Sequence, residues 1–308
     1  MKIFSGTANR PLAESIAKHL GLSLSPAEVI RFDNSEVRVR VECEVRDEVC
    51  VVIQSTSNPT DTNLMELFLF CDALMREEAK KVIVVMPYLG YARQNIQHRS
   101  GEAVSVNVVI RLLEALGVSR IVTCDLHDEG SKGIFSIPFT HTSTLAALAE
   151  TVKNYIGHDV SPEHVAIVSP DQGGIERART FGSAFFGNDS FDLTVVEKSR
   201  NQDVIHTSRA VQVFGETAGK TVIIVDDVTT SGGTLIHAAE ACIAKGATRA
   251  VAAIAHHDLG SSAPAKIQDS PLEKLFSTNT IALDPTLAFD KLQEVDISAT
   301  LAQTLRSQ

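Results

Sequence analysis

Two adjacent carboxylates, Asp226 and Asp227, stand directly before a run of small polar residues, Thr229, Thr230, Ser231, Gly232, Gly233 and Thr234. Five β-branched residues, Thr221 to Val225, precede the acids, and the helical run LIHAAEACIAKGA follows the loop. The order is therefore strand, acid pair, loop, helix. Loop glycines let a backbone approach a phosphate closely, and a helix start offers unpaired N–H groups to bind it. Carboxylates beside a phosphate would repel it. They make sense if they face another part of the same ligand, such as the vicinal hydroxyls of a sugar, or a metal ion.

Other polar stretches follow predicted strands, where ligands gather in open parallel sheets. Tyr91-Ala92-Arg93-Gln94-Asn95 leaves one strand, and Cys124-Asp125-Leu126-His127 ends the next. Ser169-Pro170-Asp171-Gln172-Gly173-Gly174 follows a third, where Asp171 could reach a ligand or simply cap the helix beginning near Gly174. Glu197-Lys198-Ser199-Arg200 sets two cations two residues apart, suited to closing over a polyphosphate. Phe32-Asp33-Asn34-Ser35-Glu36 forms a polar turn behind an aromatic ring. Ala255-His256-His257-Asp258 is a poor metal site, because neighbouring side chains on a strand point to opposite faces.

The elements that must position these groups alternate along the chain. Strands are predicted at Lys2–Phe4, Val29–Phe32, 37–45, Cys50–Gln54, Lys81–Met86, Arg120–Asp125, Val165–Val168, Leu193–Val196, Thr221–Asp227, Ala250–Ala255 and Leu275–Ser277. Helices are predicted at 11–20, Thr60–Lys80, Ala103–Leu116, Ser143–Tyr155, Ile175–Phe181 and Ile297–Leu305. That alternation predicts an α/β fold with mostly parallel sheets flanked by helices. The strands are too many for one comfortable sheet of this type. Two similar domains are expected, at 1–146 and 147–290, with a tail at 291–308 packing back on the first.

The chain has 308 residues, is 44% apolar and carries a net charge of −10 without a basic block. That argues against nucleic-acid or anionic-membrane binding. Five scattered cysteines without a CxxC pair, and no apolar run approaching a membrane span, lead to the expectation of a cytoplasmic protein with reduced thiols.

Together these stretches resemble the ribose-phosphate diphosphokinase family, and the resemblance extends to NLMELFLFCDAL and GEAVS. It implies two phosphoribosyltransferase-like domains and transfer of the diphosphoryl group of ATP to the 1-hydroxyl of ribose 5-phosphate. Asp226 and Asp227 would then hold the ribose hydroxyls, and Thr230, Ser231, Gly232, Gly233 and Thr234 the 5-phosphate. Phe32, Asn34, Glu36, Arg93 and Gln94 would bind ATP. His127 and Asp171 would serve Mg²⁺, with Mn²⁺ as the alternative ion. Lys198 and Arg200 would close on the transferring group. The family's Phe32-type loop serves a neighbouring subunit, which implies at least a homodimer, and the family often builds hexamers.

The chain departs from the family pattern at several points. Asn34 and Asn95 replace acids, Thr230 replaces an Asp as part of an archaeal-like loop, and His-His-Asp stands where Thr-His-Gly is common. These departures keep open a catalytically weak regulatory homologue. A phosphoribosyltransferase consuming the same compound is the other alternative.

Overall fold

β-branched runs separated by amphipathic segments form two parallel sheets, each flanked by helices. The computed structural model describes residues 1–158, 160–198 and 211–306. They fall into two compact units. One holds Met1–Ser143, Thr280–Ala282 and the chain from Asp296, and the other Thr144–Asn279 and Leu283–Val295.

The first unit contains β1 (Lys2–Ser5), α1 (Arg10–His19), β2 (Ala27–Arg31), β3 (Val37–Val41) and β4 (Val49–Ile53). It continues with α2 (Thr60–Arg76), β5 (Lys81–Met86), α3 (Ser105–Ala115), β6 (Val118–Cys124) and β7 (Phe139–Thr142). Its sheet has the order β1-β4-β5-β6-β7, and every pairing is parallel. Phe4, Cys50, Val52, Val82, Val84 and Ile121 point to one face, and α2 and α3 cover them with Leu67, Phe70, Leu74, Ile110 and Leu113. Strand residues alternate between faces, so a strand covered on both sides is apolar throughout. β2 and β3 pair antiparallel as a separate hairpin, with Val29 and Val39 resting on the same core.

α2 stops short of the expected Lys80. Glu78 turns left-handed at φ 58°, and the Lys80 N–H donates to the carbonyl of Glu48 at 2.9 Å. The alternation seen over 37–45 ends as a strand at Val41.

The second unit contains α4 (Leu145–Ile156), β8 (Val165–Ser169), α5 (Ile175–Phe186), β9 (Leu193–Lys198), β10 (Val211–Phe214) and β11 (Thr221–Thr229). Then come α6 (Gly233–Ala244), β12 (Arg249–His257), α7 (Ala263–Gln268), β13 (Lys274–Thr278) and β14 (Leu292–Val295). The sheet order is β10-β9-β8-β11-β12-β13-β14, parallel except for β10 against β9. One face packs on α4 and α5 through Ile167, Ile223, Val225, Val251 and Phe276. The other packs on α6 and α7 through Val168, Val222, Ile224, Ala252 and Leu275. α5 runs beyond the expected Phe181 because Phe185 extends its buried stripe, and Gly187 closes it at φ 77°.

From β8 the chain moves outward to β9 in one direction, whereas β11 to β14 are laid down in the other. The strand order thus reverses between β8 and β11. In open α/β sheets the crevice at such a reversal is where ligands bind. α8 (Ser298–Arg306) belongs to the first unit, where it packs on α1. No helix among the described residues is long and apolar enough to cross a membrane.

Candidate functional site

β11 is longer than its neighbour β8. Their register ends with Ile224 opposite Val168, while on the other side Asp226 still pairs with Ile254 of β12. Asp226 and Asp227 therefore emerge where β8 has already turned into its loop, at the reversal. Both are buried. The backbone N–H of Asp227 donates to Asp226 Oδ1 at 2.9 Å.

Across the crevice, α5 places Arg177 against the pair. Its guanidinium lies 3.4 Å from Asp226 Oδ1 and 3.3 Å from Asp227 Oδ1, and all three side chains are at most 13% exposed. Burial first and the neighbouring Asp227 charge second push the Asp226 carboxyl up to about 8, and Arg177 opposes them. Buried carboxylates this close do not both ionise readily. Arg177 offsets part of that cost, and the raised Asp226 favours its protonated form, which can donate as well as accept hydrogen bonds. That arrangement suits a diol.

Arg177 is the residue that sequence reasoning missed. The signal available was a cation in the first turn after the Asp171 loop. Arg177 and Arg179 look alike in sequence, and only the packing of α5 across β8 and β11 selects Arg177.

The loop after β11 is shaped by two contacts. Thr229 Oγ1 accepts the N–H of Gly232 at 3.1 Å, and the carbonyl of Thr230 accepts the N–H of Gly260 at 2.9 Å. Gly232 is left-handed at φ 77°, and a Cβ there would lie 2.6 Å from Ile267 Cγ1. No side chain other than glycine fits both demands. Gly232 is the N-cap of α6 and supplies no side-chain hydrogen bond, while Ser231 Oγ reaches the Gly233 N–H at 3.4 Å. The first turn of α6, with Thr234, thus presents backbone N–H groups able to take an anion beside the acid pair.

In the loop after β8, Ser169 Oγ donates to the Asp171 carbonyl at 2.6 Å and Asp171 Oδ1 accepts the Gly174 N–H at 2.9 Å. The cap-like contact and an exposed carboxylate thus coexist in one residue. Lys198 is the last backbone position of β9, which runs parallel to β8 and ends on the same side of the sheet. The Lys198 side chain is outside the description, and Arg200 lies outside the described residues.

The expected ATP-binding residues and His127 sit in the first unit. Phe32, 45% exposed, projects at the turn between β2 and β3, with the Arg38 guanidinium 6.0 Å from its ring centre. Asn34 Oδ1 accepts the Glu36 N–H at 3.2 Å, and both side chains are exposed. Arg93 and Gln94 are exposed in the loop after β5, and Gln94 Oε1 accepts from Ser105 Oγ at 2.7 Å. His127 is exposed after β6. His256 and His257 are both buried in β12, and His257 Nε2 lies 3.3 Å from Glu294 Oε1.

Among the described residues no group of three His, Cys, Asp or Glu side chains could hold a metal ion. Mg²⁺ at phosphate-transfer sites takes one or two carboxylates and fills its sphere with water and substrate phosphate. The exposed Asp171 carboxylate, with one oxygen engaged by Gly174, fits that role. The imidazole of His127 is an unusual partner for Mg²⁺, which takes oxygen ligands.

Fold and site together define an α/β protein of flanked parallel sheets, with an acid pair and an open helix N-terminus at a strand-order reversal. Residues 1–117 match the N-terminal domain of ribose phosphate pyrophosphokinase, and residues 192–308 match the phosphoribosyl synthetase-associated domain. The chain is 36% identical to the ribose-phosphate pyrophosphokinase of Listeria ivanovii over 305 residues, covering 99% of this chain and 93% of that one. It is 35% identical to ribose-phosphate pyrophosphokinase 1 of Streptococcus pyogenes over the same shares. Phosphoribosylpyrophosphate synthetase from Mycobacterium smegmatis superposes with a TM-score of 0.88 at 30% identity, covering 99% of this chain and 97% of that one. The chain belongs to the ribose-phosphate pyrophosphokinase family.

Proposed function

We propose that this protein transfers the diphosphoryl group of ATP to the 1-hydroxyl of ribose 5-phosphate, forming phosphoribosyl diphosphate and AMP. The observation that carries the reading is the buried acid pair held by Arg177 beside the start of α6, whose N-cap supplies no side-chain hydrogen bond. A sugar diol and a phosphate at the two ends of one ligand match these two features, in a chain similar to such enzymes over nearly its whole length.

Asp226 and Asp227 receive the ribose hydroxyls. The backbone from Thr230 through Ser231, Gly232 and Gly233 to Thr234 receives the 5-phosphate. Arg93 and Gln94 bind ATP, and Phe32, Asn34 and Glu36 contact its base in the site of a second copy of the chain. Lys198 and Arg200 supply positive charge where negative charge develops on the transferring group. Asp171, with His127, would hold Mg²⁺ or Mn²⁺, which when bound neutralises phosphate charge. In-line attack by the anomeric hydroxyl rests on alignment of the two substrates.

The test incubates purified protein with ATP, ribose 5-phosphate and Mg²⁺ and quantifies AMP and phosphoribosyl diphosphate together. Equal amounts of both, lost in Lys198→Ala, are expected. No product, with Mn²⁺ and added phosphate also tried, would overturn the reading in favour of a regulatory homologue. Solution mass should show a dimer or a multiple of it, and a monomer throughout would refute the shared nucleotide loop.

A further inference from the structure

Asn95 stands where the family resemblance leads one to expect an acid, and the structure shows what its amide does. Its Nδ2 donates to Asp128 Oδ2 at 2.5 Å and lies 3.4 Å from Ser131 Oγ. The same Asp128 carboxylate uses its other oxygen, Oδ1, to accept the Gly130 N–H at 2.9 Å, capping the short 3-10 turn Glu129–Ile134. One carboxylate thus holds the turn behind His127 with one oxygen and the loop after β5 with the other.

Asn95 is itself well placed to transmit a pull. Its neighbour Gln94 is fixed three ways: its N–H donates to the Tyr91 carbonyl at 2.8 Å, its side chain accepts from Ser105, and its carbonyl accepts the Val106 N–H at 3.4 Å. Tyr91 starts this bend with a left-handed backbone at φ 63°. The Arg93–Gln94 segment is therefore pinned to the start of α3 on one side and to the Asp128 turn on the other.

The chemistry of position 95 is set by Asp128. An ionised carboxylate accepts only, so its partner must donate. An acid at 95 would bring two like charges together.

We propose that Asn95 is a positioning residue: by holding Asp128 it ties the turn behind His127 to the Arg93–Gln94 segment and so sets the protein's affinity for ATP. The proposal rests on the nucleotide reading given above. On it, the exchange of acid for amide is a paired feature of this chain and no mark of lost activity.

The test is a double-variant cycle measured by steady-state kinetics, with KM for ATP and KM for ribose 5-phosphate followed separately. Asn95→Asp should raise KM for ATP by about tenfold, the loss of one charge-assisted hydrogen bond and its replacement by repulsion. KM for ribose 5-phosphate should stay within about twofold, since that substrate binds elsewhere. Combining Asn95→Asp with Asp128→Asn restores one donor and one acceptor, and leaves an oxygen to cap the turn. This variant should recover most of the loss in KM for ATP.

Wild-type KM for ATP in Asn95→Asp would overturn the proposal. So would failure of the exchanged pair to recover, or an equal rise in both KM values. Thermal denaturation of each variant separates a folding defect from a binding one, and the exchanged pair stays informative if Asn95→Asp alone folds poorly. If wild-type protein makes no AMP and phosphoribosyl diphosphate, it is the functional reading that has failed. The cycle can then still be run on ATP affinity by calorimetry.

Discussion

Replacing Arg177 by methionine keeps the length of the side chain and removes its charge. The guanidinium stands 3.3 to 3.4 Å from the two carboxylates in a site where none of the three side chains is more than 13% exposed. At an effective dielectric constant of about 20, a unit pair at that separation is worth roughly 5 kcal/mol before desolvation is counted. Removing one partner of a buried pair costs about 3–5 kcal/mol. The lower end applies, because burial and the neighbouring Asp227 charge already push Asp226 up towards its neutral form.

About 3 kcal/mol corresponds to about two pH units. Arg177→Met should therefore move the ionisation of the acid pair upward by about two units and raise KM for ribose 5-phosphate far more than KM for ATP. The assay is the pH profile of kcat/KM for each substrate between pH 6 and about 10, beside urea denaturation at pH 7. An unchanged alkaline limb for ribose 5-phosphate, or equal effects on both substrates, would refute the assignment of Arg177 as the cation that sets the pair.

Further tests address other parts of the structure. Asp226 binds a proton in the folded state over a range where the unfolded chain has lost it, so stability should fall as pH rises from about 4 to about 8, by up to ~1.4 kcal/mol per unit. Asp226→Asn should flatten that slope in urea denaturation, and an unaltered slope would place the proton elsewhere. Gly232→Ala combines a left-handed backbone with a Cβ 2.6 Å from Ile267, and should cost about 1–3 kcal/mol of stability along with affinity for ribose 5-phosphate. Glu66 is fully buried and accepts from the Thr7 N–H at 2.6 Å, Thr7 Oγ1 at 2.7 Å and Gln54 Nε2 at 3.1 Å. Glu66→Gln sets an amide NH2 donor against one of these donors and should cost about 2 kcal/mol by thermal or urea unfolding.

The long apolar strands and amphipathic helices were legible because their periodicity is strong. β4, β5, β8, β11 and β12 were all expected near their observed places, as were α1 to α3. β7 (FTHT) and β14 (LQEV) escaped, because four mixed residues become strands only by pairing with a neighbour. β10 escaped for the same reason, and α7 is too short to show a helical period. At the candidate site, the acid pair and the glycine loop could be read directly, since both lie within one contiguous stretch. Arg177 could not, because its partners are 49 residues away or more. The role of Asn95 escaped likewise. An amide in place of an acid looks like a loss until Asp128, 33 residues on, is found holding it.

By itself the sequence determined the local chemistry: a buried strand delivering two carboxylates, a glycine loop that can wrap an anion, and a helix start to bind it. These follow from side-chain type, backbone freedom and hydrophobic period, all properties of neighbouring residues. Only the tertiary structure decided that strand order reverses between β8 and β11, that α5 lays a guanidinium over the acid pair, and that burial lifts Asp226 to about 8. Strand order and burial depend on which distant segments exclude water from one another, and no local pattern encodes that.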